Sequence, residues 1–123
     1  MNLYMKVWKD WKVYNGRASR AEYWVFLLSN ITVFCALAGV ETSLGNPSLH
    51  AMFEIVNYTY YIAVLAPVLA VSVRRLHDSD KSGWWLLIIL IPFVGGLIFL
   101  NFMLSGSTPG QNEYGESPNQ ASA

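Results

Sequence analysis

Three stretches of this chain, residues 23–40, 55–73 and 84–104, contain no charged side chain. At about 1.5 Å of rise per residue each would reach roughly 27–32 Å as a helix, close to the roughly 30 Å hydrocarbon core of a bilayer. Hydrophobic residues make up 54% of the chain and charged ones 13%, about half the charged fraction of an ordinary soluble domain. That leaves too little polar surface to coat a small globule in water. The pattern predicts an all-α membrane protein with three transmembrane helices at 23–40, 55–73 and 84–104. A short amphipathic interfacial helix at 3–14 precedes them and a polar tail at 105–123 follows, all within one membrane domain. A cleaved signal peptide does not suit the first run, because a long charged and aromatic segment precedes it and no small-residue cleavage site follows.

Charge distribution gives these spans a direction. Every lysine and arginine lies either before the first run (Lys6, Lys9, Lys12, Arg17, Arg20) or between the second and third (Arg74, Arg75, Lys81). By the positive-inside rule the N-terminus and the 74–83 loop are cytoplasmic and the 41–54 loop is outside. A third span would put the tail outside as well. Within that run, however, Pro92 precedes Gly95-Gly96. A kinked spanning helix is the simpler expectation, and a re-entrant hairpin that returns the tail to the cytoplasm is the alternative.

Local signals mark the flanks. Leu3, Tyr4, Val7, Trp8, Trp11 and Tyr14 recur at helical spacing, which predicts an amphipathic helix along the inner surface that ends near Asn15-Gly16. Ser19-Arg20-Ala21-Glu22 fits a capping box that starts the first span. Tyr23, Trp24, Tyr58, Tyr60 and Tyr61 suit the aromatic interface belt, and Pro67 predicts a kink in the second span. Ser29, Asn30, Thr32, Thr59 and Ser72 are placed to join helices by hydrogen bonds.

The densest chemistry is Arg74-Arg75-Leu76-His77-Asp78, which continues through Ser79-Asp80-Lys81-Ser82-Gly83 to Trp84-Trp85. Guanidiniums at the inner surface suit phosphate oxygens, so Arg17, Arg20, Arg74, Arg75, His77 and Asp78 form a candidate binding surface for anionic lipid headgroups or a partner. The plainer reading makes these arginines topology determinants that pair with Glu22, Asp78 or Asp80. No catalytic residue is assigned: His77 and Asp78 are adjacent on a helix and diverge, and no matched nucleophile is apparent. The chain therefore reads as a non-enzymatic membrane protein. A transport or export subunit is the alternative, although no charge lies inside a predicted span; an enzyme acting on a lipid phosphate ranks lower.

Other classes find little support. Net charge is zero, so no basic field for nucleic acid exists. Cys35 is the single cysteine, which excludes an intramolecular disulfide. His50 and His77 fall on opposite sides of the predicted membrane, and no metal or cofactor motif is present, so neither is expected. Membrane lipids are the expected partners, with a homo-oligomer or protein partner possible through Gly39, Gly95 and Gly96, which permit close helix contact.

Three pieces together resemble a bacterial family: Gly16-Arg17-Ala18-Ser19-Arg20-Ala21-Glu22-Tyr23-Trp24, then Arg74-Arg75-Leu76-His77-Asp78 with Ser82-Gly83-Trp84-Trp85, then Gly106-Ser107-Thr108-Pro109-Gly110-Gln111-Asn112-Glu113-Tyr114-Gly115. The resemblance is to the YhaH-like inner-membrane proteins, a group classed as a domain of unknown function. It implies a bacterial inner-membrane setting and suggests that the arginine and tail motifs act together. Where the family often continues with Gly-Pro-Asp-Pro, this chain has Gly115-Glu116-Ser117-Pro118. A shared arginine and tail site would require both on one side of the membrane, which favours the hairpin alternative.

Overall fold

A computed structural model describes residues 3–115; the tail beyond Gly115, including the divergent 116–118 segment, lies outside the described residues. The described chain is helical: α1 (Leu3–Lys9), α2 (Arg20–Ser43), α3 (Pro47–Asp78), a 3₁₀ segment (Gly83–Leu90) and α4 (Val94–Leu104). Helices α2 and α3 are long and apolar enough to cross a membrane, whereas α4 is a shorter apolar helix.

Both long helices extend past the apolar runs that announced them. Ser19 caps α2 by accepting from the Glu22 backbone N–H at 3.1 Å. The reciprocal half of the expected capping box is not made: the Glu22 carboxylate binds Arg74 and Lys6 instead. A buried cation is the stronger competitor for that oxygen. Asn46 caps α3, accepting from the Ser48 and Leu49 backbones, and Pro47 takes the first helical position, where its missing donor is harmless. The predicted 41–54 loop is consequently helical except for residues 44–46. Arg74 meets Glu22 at one end of the α2–α3 pair and Asn57 meets Glu41 at the other, so the two helices run antiparallel.

Helix α1 is shorter than the predicted 3–14 segment and is tucked against α2 and α3. Val7 is fully buried, and the Tyr4 and Trp8 rings pack on Phe26 at 5.3 and 5.8 Å. Only its first two turns find apolar partners. Beyond Lys9 the chain turns, and Trp11 and Tyr14 are left exposed.

The third apolar run departs most from expectation: it is not one helix. Ile91 N–H bonds to Ile88 at 3.1 Å, Pro92 brings no donor, and Val94 N–H bonds to Pro92 at 2.7 Å. Phe93 adopts φ 62°, a left-handed conformation rare for a bulky side chain. The chain then reverses into α4. A Cβ built on Gly95 would lie 1.8 Å from the Ile88 carbonyl oxygen, so glycine is what lets the two arms close. The 3₁₀ arm extends about 16 Å at roughly 2.0 Å per residue, and α4 about 16 Å at roughly 1.5 Å per residue. Each arm matches about half of a hydrocarbon core.

Candidate functional site

The last turn of α3 continues beyond the apolar stretch 55–73 and carries Arg74, Arg75, His77 and Asp78, all buried. Gly16, at φ 90°, turns the chain so that Arg17 enters from the other side. Asp78 then holds two guanidiniums. Arg17 Nε donates to Oδ1 at 3.0 Å and Arg75 Nη1 to Oδ2 at 2.7 Å, and the Ser107 hydroxyl also donates to Oδ2.

One carboxylate cannot satisfy two buried cations, and the returning hairpin and tail supply the balance. Arg17 Nη1 donates to the carbonyls of Gly110 (2.7 Å) and Gly115 (3.2 Å), and Nη2 to those of Thr108 (2.6 Å) and Asp78 (3.2 Å). With the bond to Asp78 Oδ1, all five N–H donors of that guanidinium are matched. Arg75 donates to the carbonyls of Met103 (3.2 Å) and Ser105. Burial pulls the Arg75 pKa down, Asp78 opposes that, and the Arg20 and Arg17 charges add to the lowering; a guanidinium nonetheless stays cationic in a protein.

His77 forms a second hold on the tail. Its Nδ1 lies 3.0 Å from the Gly16 carbonyl, which only accepts, so Nδ1 carries the proton. Tyr114 stacks on the imidazole with centroids 3.9 Å apart and planes 1° from parallel, while Asn112 donates to the His77 carbonyl at 3.0 Å. Burial lowers the His77 pKa and the Gly16 bond works against it.

Arg74 points elsewhere. Its Nη1 donates to Glu22 Oε1 at 2.7 Å, a carboxylate shared with Lys6 at 3.0 Å, and lies 3.8 Å from Asp10. Its Nε and Nη2 are buried with no hydrogen-bond partner among the described residues. Arg20 is exposed and makes one long contact, 3.4 Å to the Leu104 carbonyl. Of the six residues singled out from sequence, Arg17, Arg75, His77 and Asp78 form one knot, Arg74 faces α1 and Arg20 stands at the rim.

Sequence reasoning missed the other half of this arrangement, which is mostly backbone: the carbonyls of Met103, Ser105, Thr108, Gly110 and Gly115. Carbonyl oxygens have no residue-type signature. The tail motif 106–115 was the signal that pointed to the last three of them. Among the described residues no group of three or more His, Cys, Asp or Glu side chains is placed to hold a metal ion.

Fold and site together define a small helical protein with two span-length helices, a broken apolar hairpin and an ion-paired knot that joins Arg17, the end of α3 and the tail. A family model described as "Protein of unknown function (DUF805)" matches residues 12–116, and the chain belongs to that family. It is 42% identical to inner membrane protein YhaH of Escherichia coli (strain K12) over 118 residues, covering 96% of this chain and 97% of that protein. Inner membrane protein YhaI of the same strain is 38% identical over 118 residues, with 96% of each chain covered. No solved structure matches.

Proposed function

We propose that this chain is a non-enzymatic inner-membrane protein that binds anionic lipid headgroups through its basic cytoplasmic face. In this reading α2 and α3 are the spans and the 84–104 run is a re-entrant hairpin. Both ends of the chain then lie in the cytoplasm. The knot supports that topology, because Arg17, the end of α3 and the tail share one side in every contact that Asp78 and His77 make. The relatives' names support the inner-membrane setting.

A single contrast carries the binding reading. Arg17 has all its donors matched by the chain itself, whereas Arg74 keeps Nε and Nη2 buried and unmatched. Those two nitrogens form one edge of the guanidinium, the edge that pairs side-on with two oxygens of a phosphate or carboxylate. Unmatched buried donors each cost about 1–3 kcal/mol, so an oxyanion there is favoured by what it relieves as well as by its charge. His77 suits a latch, since its Nδ1–H is held by Gly16 and its ring is stacked against Tyr114.

Arg74→Lys is the informative variant, because it retains a cation for Glu22 and removes the side-on edge. Protein purified from membranes in mild detergent should retain at least about twofold less phosphatidylglycerol or cardiolipin as R74K than as wild type, with phosphatidylethanolamine unchanged. Equal retention of anionic lipid would remove the basis of this reading.

A further inference from the structure

The bilayer-facing surface offers several apolar hollows, and one differs from the rest in what borders it. A cavity of about 520 Å³ between α2 and α3 is lined by Leu27, Phe34, Tyr61 and neighbouring aliphatic side chains. Another of about 360 Å³ lies against Trp84, Trp85 and Ile91. In neither does a lysine ammonium sit over a lining ring. A third, of about 420 Å³, is walled by Trp8 and Trp11 on one side and by Ile62, Ala63, Ala66 and Pro67 of α3 on the other. That volume falls in the roughly 300–1,000 Å³ range of ligand sites.

Its edge is basic. Lys9 and Lys12 follow Trp8 and Trp11 in the chain and both are exposed. Neither takes part in an ion pair among the described residues, in contrast to Lys6, which is held by Glu22 and Asp10. The Lys12 ammonium sits 4.6 Å over the Trp11 ring, so one residue of the cleft wall also positions a rim charge. Small side chains at Ala63 and Ala66 keep the α3 wall open. Pro67 and Arg74, seven residues apart, lie on one face of α3, which puts the cleft about 10 Å below the arginine along the helix.

We infer that this cleft is an anionic phospholipid site: an acyl chain lies between the two indoles and the Ala63–Pro67 face, and the headgroup phosphate meets Lys9 and Lys12. It rests on the headgroup-binding reading above but assigns the lipid its own seat and different cations. Any bilayer-facing cleft holds hydrocarbon. Lys12 at this rim and Lys9 one residue past Trp8, neither in an ion pair among the described residues, are what would select an anionic lipid, by about fivefold per lysine, the equivalent of about 1 kcal/mol each.

The test uses the full chain in phosphatidylcholine vesicles that contain a minor fraction of lipid brominated in its acyl chains, either phosphatidylglycerol or phosphatidylcholine. Quenching of Trp8 and Trp11 is read as the difference from a W8F/W11F variant. In the wild type, brominated phosphatidylglycerol should quench at least about twofold more than brominated phosphatidylcholine at equal content. Lys9→Gln with Lys12→Gln should make the two lipids equal. Ala66→Phe, which fills the cleft, should lower quenching by both. The lysine substitutions touch no buried group, so they decide the matter if the A66F variant fails to fold. Equal quenching of the wild type by both lipids overturns the site, whatever R74K does to lipid retention. A preference that survives both glutamines overturns it too. Retained preference together with unchanged lipid retention in R74K leaves the cleft standing and removes only the Arg74 assignment.

Discussion

Arg17 and Arg74 are both buried, 8% and 2% exposed, and their backbones are joined near the same end of α3 by the Ala18 N–H bond to the Arg74 carbonyl at 3.0 Å. Around Arg17 the chain has gathered a carboxylate and four carbonyls, most of them from segments 91 to 98 positions away in sequence. Around Arg74 it has supplied the Glu22 carboxylate, shared with Lys6, and a longer Asp10 pair at 3.8 Å, both on Nη1, and left two nitrogens unmatched. A buried cation whose donors are all met holds a structure together and has nothing left to offer a ligand. One with donors to spare holds less and offers more. The knot is therefore the architectural half of the basic face, and Arg74 is the half to which the proposed headgroup binding is assigned.

Removing Asp78 should break this contrast most severely. Asp78→Ala strips the shared carboxylate from two buried guanidiniums, and breaking a buried pair is typically worth about 3–5 kcal/mol. The expected result is a large drop in melting temperature in detergent, with the 106–115 segment opened to protease. Unchanged melting would mean that the tail carbonyls alone can hold both arginines. Asp78→Asn, which retains an acceptor, should fall between the two.

The hairpin gives a finer break, because it delivers the Met103 and Ser105 carbonyls to Arg75 and leaves Arg74 untouched. A methyl at Gly95 would collide with the Ile88 carbonyl, while one at Gly96 meets nothing within 4 Å. Gly95→Ala should therefore destabilise by about 1–3 kcal/mol, the usual range for overpacking, and Gly96→Ala should not. Both are followed by thermal melting and by protease access to the tail. Equal behaviour of the two alanines would show that the hairpin closes by some other route.

Much of this was legible in the sequence, and the boundary follows physical lines. Apolar length announced the 23–40 and 55–73 helices, since nothing in those runs competes with helix formation. The same criterion pointed to one long helix over 84–104, where the chain instead breaks into two helical arms through local backbone chemistry. Pro92 removes a donor, Phe93 takes a left-handed turn and Gly95 sits where a Cβ would lie 1.8 Å from the Ile88 carbonyl oxygen. The Pro92 and Gly95-Gly96 pattern raised the hairpin as an alternative without deciding it, because a kink and a reversal use the same residues. At the site, the pairing of arginines with Glu22 and Asp78 was among the readings their charges allowed, whereas Asp80 makes no ion pair among the described residues. Which arginine would be filled depends on where the tail carbonyls fall, and those belong to segments whose side chains are mostly small and neutral.

Arg74→Lys sharpens the comparison by a smaller amount. It keeps the Glu22 pair and discards the unmatched edge, and the relief gained there is opposed by the packing lost with the guanidinium, so the net change in stability should be no more than about 1 kcal/mol in either direction, against the large loss at Asp78. Melting of the two variants side by side is the check, and a loss in R74K as large as in D78A would show that Arg74 is structural after all.

The smallest effect should come from pH, through the latch on the tail. Burial holds the His77 pKa below its ordinary 6.5, so the folded state resists a proton that the unfolded state accepts. The contribution of this group is therefore full above about pH 6.5 and is lost as pH falls through the lower folded value. Protonation charges a ring whose burial disfavours the charged form, so it favours the state in which the tail lifts and water reaches the imidazole, while the Nδ1–H bond to Gly16 survives; the tail should loosen without the knot opening. Hydrogen exchange at residues 108–115 should quicken as pH is lowered from about 7.5 to about 5.5, after correction for intrinsic exchange. His77→Gln, which keeps an N–H for Gly16 and does not titrate, should flatten that response. If exchange at the tail follows the same pH profile in H77Q as in the wild type, the proton acts elsewhere and Arg17 alone sets how firmly the tail is held.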